Sequence, residues 1–184
     1  MQMLDSPPSL SILCPFEIKG DACPKTVLGY VIQKNSSLTI MCESNVFGGY
    51  ASPTPDQASC VIDCPGNLFT VETNASLTID GLRLKGSQNA PAIDVQSKGE
   101  FQAFETTFEN NSNPFGNGGA IHSGEGSRLL VTLCEFTNNT SLNGGAIYAE
   151  GTSQISNSDF VDNIANQTTS RAGVSNVATF TYSI

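Results

Sequence analysis

A chain of 184 residues with 17 acidic and 8 basic side chains, a formal net charge of −9, is too acidic for charge-driven attachment to nucleic acid or to an anionic membrane. Its 17 glycines, its lack of tryptophan and its many Asn, Ser and Thr residues are the composition of a folded, turn-rich all-β protein. No run approaches the ~18 apolar residues of a membrane-spanning helix.

In chain order, residues 1–66 read as a cysteine-rich N-terminal cap and first coil with an inserted loop, and residues 67–184 as repeated coils. Pro7, Pro8, Pro15 and Pro24 give the first 30 residues an irregular character suited to covering the exposed edge of a stacked sheet. Ser9-Leu10-Ser11-Ile12-Leu13 is too short, and too poor in flanking basic residues, to be a signal peptide, so an export signal is expected outside this chain. Five of the six cysteines, Cys14, Cys23, Cys42, Cys60 and Cys64, crowd into the first third. That crowding predicts disulfides and an extracellular or cell-surface location, while leaving the pairing open. Cys60-Val-Ile-Asp-Cys64 has no second metal-binding pair and the single histidine, His122, is distant, so no metal and no cofactor are expected. Sequons at Asn35, Asn74, Asn110, Asn138, Asn139 and Asn166 are compatible with a secreted glycoprotein. For Asn110, Asn138 and Asn139, a role as turn asparagines is the preferred reading.

Asn35-Ser-Ser-Leu-Thr-Ile40 and Asn74-Ala-Ser-Leu-Thr-Ile79 are near copies that alternate as strands do. The stretch Phe47-Gly-Gly-Tyr-Ala-Ser-Pro-Thr-Pro-Asp-Gln57 between them reads as a loop inserted into one period. From Cys64 onward the coils can be overlaid. Gly118-Gly119-Ala120-Ile121 recurs as Gly144-Gly145-Ala146-Ile147, 26 residues on, and Phe108, Phe136 and Phe160 step by 28 and 24 residues. A period of that size marks stacked supersecondary units. One column holds Leu68–Val71, Ala92–Val95, Ala120–Ser123 and Ala146–Ala149. A second holds Leu77–Ile79, Phe101–Ala103, Leu129–Val131 and Ser153–Ile155. A third holds Leu82–Leu84, Thr106–Phe108, Cys134–Phe136 and Ser158–Phe160. Three short strands per period, each placing two residues inward around one outward residue, describe an all-β, right-handed, single-stranded parallel β-helix.

In that arrangement Leu84, Phe108, Phe136 and Phe160 form an internal stack at the ~4.8 Å strand spacing. Asn111, Asn139 and Asn163 follow three residues later and are expected to hydrogen-bond the next coil's backbone as a ladder. The paired glycines bend the chain into its next strand. Cys134 reads as a small inward core residue and not a nucleophile.

Gly-Gly-Ala-Ile together with Phe-x-x-Asn, at Phe108/Asn111, Phe136/Asn139 and Phe160/Asn163, resembles the repeat pair of the chlamydial polymorphic outer membrane proteins. The resemblance spans about residues 100–175, with Ser170-Arg-Ala-Gly-Val174 as a degenerate further copy. More broadly the chain is similar to right-handed β-helix proteins of the pectin-lyase-like superfamily. The resemblance implies a secreted or surface rod, because those family members are adhesins whose β-helix is exported through a C-terminal barrel. The strand-like end Ala178-Thr-Phe-Thr-Tyr-Ser-Ile184 and the missing barrel lead to the expectation of a truncated C-terminus, with the rest of a longer polypeptide as partner.

Enzymes of that superfamily make catalysis the reading to test. Glycoside hydrolysis needs two carboxylates ~5–9.5 Å apart, and Glu135 and Asp159 are outward neighbours in the third column. Asp94, His122 and Tyr148 form an outward ladder of acid, imidazole and phenol in the first column. Asp94 and His122 in the first column, or Glu135 and Asp159 in the third, are the candidate catalytic groups of a polysaccharide lyase or glycoside hydrolase fragment. Asp94, His122 and Tyr148 are the candidates for contact with a glycan or a surface protein. Arg83, Arg128 and Arg171 are too dispersed to neutralise a uronate, and no calcium loop, phosphate loop or nucleophile elbow occurs. The sequence therefore favours a non-catalytic, adhesin-like scaffold over an enzyme.

Overall fold

Short strands with one apolar face cannot bury that face alone; each needs an equivalent strand above and below it. The computed structural model describes residues 9–13, 16–19, 22–23, 28–43 and 60–166. Every strand within them pairs in parallel with its counterpart one coil away, building a β-solenoid without an α-helix among the described residues. The first sheet stacks Tyr30–Ile32, Phe69–Val71, Ile93–Val95, Ile121–Ser123 and Ile147–Ala149. The second stacks Ser9–Leu13, Ser37–Glu43, Ser76–Asp80, Glu100–Phe104, Arg128–Thr132 and Thr152–Ser156. The third stacks Phe16–Lys19, Cys60–Asp63, Leu82–Lys85, Thr107–Glu109, Glu135–Thr137 and Asp159–Val161.

These three sheets hold the expected columns in register: Phe101 pairs with Leu77 and Leu129, Ile121 with Ile93 and Ile147, and Phe136 with Phe108 and Phe160. Two features go beyond the sequence expectation. The second and third sheets continue into the first third, where Ser9–Leu13 and Phe16–Lys19 pair with the following coil. A fourth, short sheet of Ser112–Asn117, Thr140–Asn143 and Ile164–Ala165 lies between the third sheet and the Gly-Gly bend. Its strands are mostly polar and lack apolar alternation, so no periodic signal announces them.

The solenoid turns between sheets with single left-handed residues. Gly81, Glu105, Leu133 and Asn157 occupy the corner between the second and third sheets, with φ of 70°, 45°, 57° and 48°. Gly86, Asn110, Asn138 and Asp162 occupy the next corner, with φ of 80°, 53°, 55° and 53°. A one-residue turn keeps the backbone in the ladder: Glu105 N–H donates to Thr132 O at 3.2 Å and Asn110 N–H to Thr137 O at 3.0 Å. Asn tolerates this conformation well, whereas Leu133 does so at a steric cost. Asn110 and Asn138 are thus corner residues, as the sequence suggested.

The interior is continuous. Phe101, Phe108, Phe136, Leu77, Leu84 and Ile121 are fully buried. The Phe108 and Phe136 rings stack with centroids 4.7 Å apart and a 2° interplanar angle, and Phe136 and Phe160 repeat this at 4.7 Å and 3°. Beside the rings runs the asparagine ladder. Asn139 Oδ1 accepts from Asn111 N–H at 3.1 Å and Asn111 Nδ2 at 3.0 Å, while Asn139 Nδ2 donates to Phe108 O at 2.9 Å and Asn163 Oδ1 at 2.9 Å. Asn163 Oδ1 also accepts from Asn139 N–H at 3.0 Å, and Ser87 N–H donates to Asn111 Oδ1 at 3.2 Å. Asn111 and Asn139 are fully buried, so their amides answer backbone groups that no water reaches.

Gly119 shows why the bend needs glycine. A Cβ there would lie 2.6 Å from Gly145 O and 2.8 Å from both Thr140 N and Thr140 O. The close approach allows Gly119 N–H to donate to Gly145 O at 2.7 Å and Ala120 N–H to Ala146 O at 2.9 Å. At the other end Cys23 pairs with Cys64 and Cys42 with Cys60, with Cα–Cα distances of 5.6 and 5.9 Å. The bridges close separations of 41 and 18 residues, for which loop entropy gives about 4 and about 3 kcal/mol. Cys14, the Phe47–Gln57 loop, Arg171, Ser170–Val174 and Ala178–Ile184 lie outside the described residues.

In urea unfolding, Phe136→Ala should cost ~3–5 kcal/mol and Asn139→Ala ~2–4 kcal/mol through the buried backbone partners it abandons. Unchanged midpoints would refute the stacking scheme. Leu133→Asn should move the midpoint the other way, stabilising the fold by up to ~1 kcal/mol.

Candidate functional site

The central residue of each first-sheet strand has two inward neighbours and so points outward. In successive coils the register aligns Thr70, Asp94, His122 and Tyr148. Thr70 is fully buried, because its hydroxyl donates to Leu28 O at 2.7 Å beneath the preceding chain. The open ladder therefore starts at Asp94. Asp94 Oδ1 and His122 Nδ1 lie 2.7 Å apart, with side-chain exposures of 28% and 26%. The imidazole stacks on Tyr148 at 6.0 Å and 23°, and the Tyr148 hydroxyl donates to Glu150 Oε1 at 3.4 Å. Partial burial, followed by the nearby Glu150 carboxylate, raises the Tyr148 phenol above its ordinary value.

The structure thus joins the three residues that the column assignment had aligned. What the sequence could not show is the direct hydrogen bond through Nδ1, which turns the imidazole edge-on to Asp94 and leaves Nε2 as the second ring nitrogen. An acid, an imidazole and a phenol on one rigid sheet offer donors, acceptors and a flat ring to a partner. Among the described residues no group of three or more His, Cys, Asp and Glu side chains converges as a metal site.

Glu135 and Asp159 pair directly across neighbouring third-sheet strands, and both are exposed. Glu135 Oε1 accepts from Thr137 Oγ1 at 3.0 Å. The two carboxylates are on a different sheet from the Asp94–His122 pair, so the four candidate catalytic residues do not form one constellation. Arg83 is engaged with Glu109 at 2.6 Å and Arg128 with Glu100 at 3.7 Å. These contacts are ion pairs between coils.

Cys134 occupies the same position in its coil as Thr106 and Ser158. Each of the three donates to the carbonyl two residues earlier: Thr106 to Phe104 O at 2.8 Å, Cys134 to Thr132 O at 3.4 Å and Ser158 to Ser156 O at 2.9 Å. Thr106 and Ser158 also accept from the preceding coil, from Leu82 N–H at 3.4 Å and Cys134 N–H at 3.1 Å. The thiol replaces a hydroxyl in a structural ladder. Burial pushes it up to about 11, against the opposing hydrogen bonds from Thr106 and with Thr132.

Of the sequon asparagines, Asn35, Asn74, Asn110, Asn138 and Asn166 are exposed, whereas Asn139 is buried in the amide ladder. One exposed residue has no place in the repeat pattern. Phe115 is 84% exposed, on a bulge of the strand Ser112–Asn117. The seven-residue step from Asn111 to Gly118, against five from Asn139 to Gly144, is its sign in the sequence.

A family model described as the Chlamydia polymorphic membrane protein (Chlamydia_PMP) repeat matches residues 133–150. That segment contains Phe136, Asn139 and Gly144-Gly145-Ala146-Ile147, the ring, the amide and the bend whose contacts have just been described. Over those residues the chain is similar to the PMP repeat. No curated protein and no solved structure matches the chain. The PMP repeat belongs, by its description, to membrane proteins, and no helix among the described residues is long and apolar enough to cross a membrane.

With its thiol held neutral and covered, Cys134 should resist iodoacetamide at pH 8 in the native protein and react in urea. Mass spectrometry reads the difference, and native labelling at the denatured rate would contradict the buried ladder.

Proposed function

We propose that the chain is part of a secreted or cell-surface, adhesin-like scaffold that makes no or breaks no bond itself and contacts a glycan or protein through outward side chains. The observation that carries this reading is the Asp94–His122–Tyr148 ladder. Its members are linked by a 2.7 Å contact and a ring stack, remain partly exposed, and stand on consecutive strands that the core holds at fixed spacing. Preorganised groups on a rigid sheet lose little freedom when a partner docks. The PMP-type repeat supports the same reading, because its parent description is a membrane protein family.

The enzyme alternative draws support from the adjacency of Glu135 and Asp159. Their exposure counts against it, since a general acid at neutral pH is ordinarily kept protonated by a sheltered setting.

A glycan array and a cell-binding assay test the two kinds of partner. Single changes Asp94→Ala, His122→Ala and Tyr148→Ala should each weaken binding by about tenfold while leaving the thermal midpoint near that of the wild type. Binding unaffected by all three would remove the ladder from the contact surface. Cleavage of polygalacturonate or xylan that disappears in Glu135→Ala or Asp159→Ala would overturn the non-catalytic assignment.

A further inference from the structure

The strand Ser112–Asn117 differs from its neighbour in one respect. Its register with Thr140–Asn143 runs Ser112 to Thr140 and Asn113 to Ser141, then resumes at Asn117 with Asn143. Pro114, Phe115 and Gly116 therefore stand where the next coil has Leu142 alone. Phe115 is 84% exposed, and the next most exposed large apolar residue among those described is Leu133 at 55%.

The bulge is braced. Asn113, only 6% exposed, donates from Nδ2 to Asn117 O at 3.0 Å and to Gly118 O at 3.3 Å. Asn143 Nδ2 donates to Asn117 Oδ1 at 2.8 Å. Gly116 admits the Asn113 amide, whose nitrogen would lie 2.6 Å from a Cβ at that position, and Pro114 fixes its own φ. Steric need does not explain the protrusion, because the next coil makes the same passage with no bulge. The braced bulge holds one aromatic ring in water with its faces open to a partner.

The surroundings define the partner's chemistry. No strand of the fourth sheet contains a charged residue, although the chain as a whole carries −9. Ser112, Thr140 and Ile164 align across the sheet, placing two hydroxyl side chains in one row. A uronate or a charged peptide would find no counter-charge on these strands. An uncharged ring with polarised C–H groups on its faces and hydroxyls on its rim would match both the electron-rich face of Phe115 and the hydroxyl row.

We propose that Phe115 is a stacking platform for a neutral pyranose sugar, with Ser112 and Thr140 on the same sheet as candidate hydrogen-bonding side chains. The site names a ligand class for the glycan-contacting scaffold and rests on that reading only for the presence of sugar at the surface. It is separate from the Asp94–His122–Tyr148 ladder, which lies on the first sheet.

Saturation-transfer NMR with the 184-residue chain, using cellotetraose and chitotriose as probes and trigalacturonate as the acidic control, tests it. Transfer to the neutral oligosaccharides is expected to exceed transfer to trigalacturonate, to fall about tenfold in Phe115→Ala and to persist in Phe115→Tyr. Absence of neutral-sugar transfer, equal transfer to trigalacturonate, or no change in Phe115→Ala overturns the proposal. Sedimentation showing a dimer that Phe115→Ala dissociates, without sugar transfer, assigns the ring to a second copy and equally overturns it. His122→Ala separates the two sites. Sugar transfer lost in His122→Ala but retained in Phe115→Ala sinks this proposal and leaves the ladder reading standing. The reverse pattern supports this proposal and sinks the ladder as the sugar contact.

Discussion

A chain that turns a corner against its own core presents N–H and C=O groups to an interior without water, and each one left unpaired costs ~1–3 kcal/mol. The asparagine ladder meets that demand. The carboxamide of Asn139 reaches back to Asn111 N–H and Phe108 O and forward to Asn163. Such an amide works only when its equivalents lie one strand spacing away, so the ladder demands that successive coils stay in register. Three residues upstream, the same register superposes Phe108, Phe136 and Phe160 with nearly parallel rings. Polar satisfaction and apolar packing thus enforce the same alignment, which is the consistency a well-specified fold requires.

The same constraint decides which positions can vary. Inward positions answer to neighbours above and below, and substitutions there preserve hydrogen-bonding capacity. Thr106, Cys134 and Ser158 each donate to the carbonyl two residues back despite their different side chains. Corners require one left-handed residue, and the chain fills them with glycine, asparagine, Asp162, Glu105 and even Leu133. Tertiary pairing of the neighbouring backbone overrides local preference at the last two. The Gly-Gly bend is less tolerant, since at Gly119 the neighbouring backbone occupies the space a side chain would need.

Outward positions carry no such obligation, so their chemistry can vary without disturbing the core. A solenoid core holds Asp94, His122 and Tyr148 at fixed spacing without asking what they are. The consequence is an ordered row whose chemistry can be set independently of the fold. Phe115 is displayed differently, by lengthening a coil and bracing the extra residues with Asn113. The PMP-type repeat over residues 133–150 concerns the scaffold residues, Phe136, Asn139 and the bend. It carries little information about either display.

By itself the sequence determined the parallel solenoid, its three main columns, the Phe stack, the Asn ladder and the alignment of Asp94 with His122 and Tyr148. Stacking places like residues on like residues, so a repeated identity is already a statement about contact. Tertiary structure alone decided the Cys23–Cys64 and Cys42–Cys60 pairs, the burial of Thr70, the fourth sheet, the Asp94–His122 hydrogen bond and the exposure of Phe115. Each of these depends on a side-chain rotamer, on which segment covers another, on strands without apolar alternation, or on contacts between residues that are not equivalent in the repeat. A period specifies the neighbour one coil away and whether a side chain points in or out; it holds no information about rotamers, about which segment covers another, or about a bulge that breaks the period.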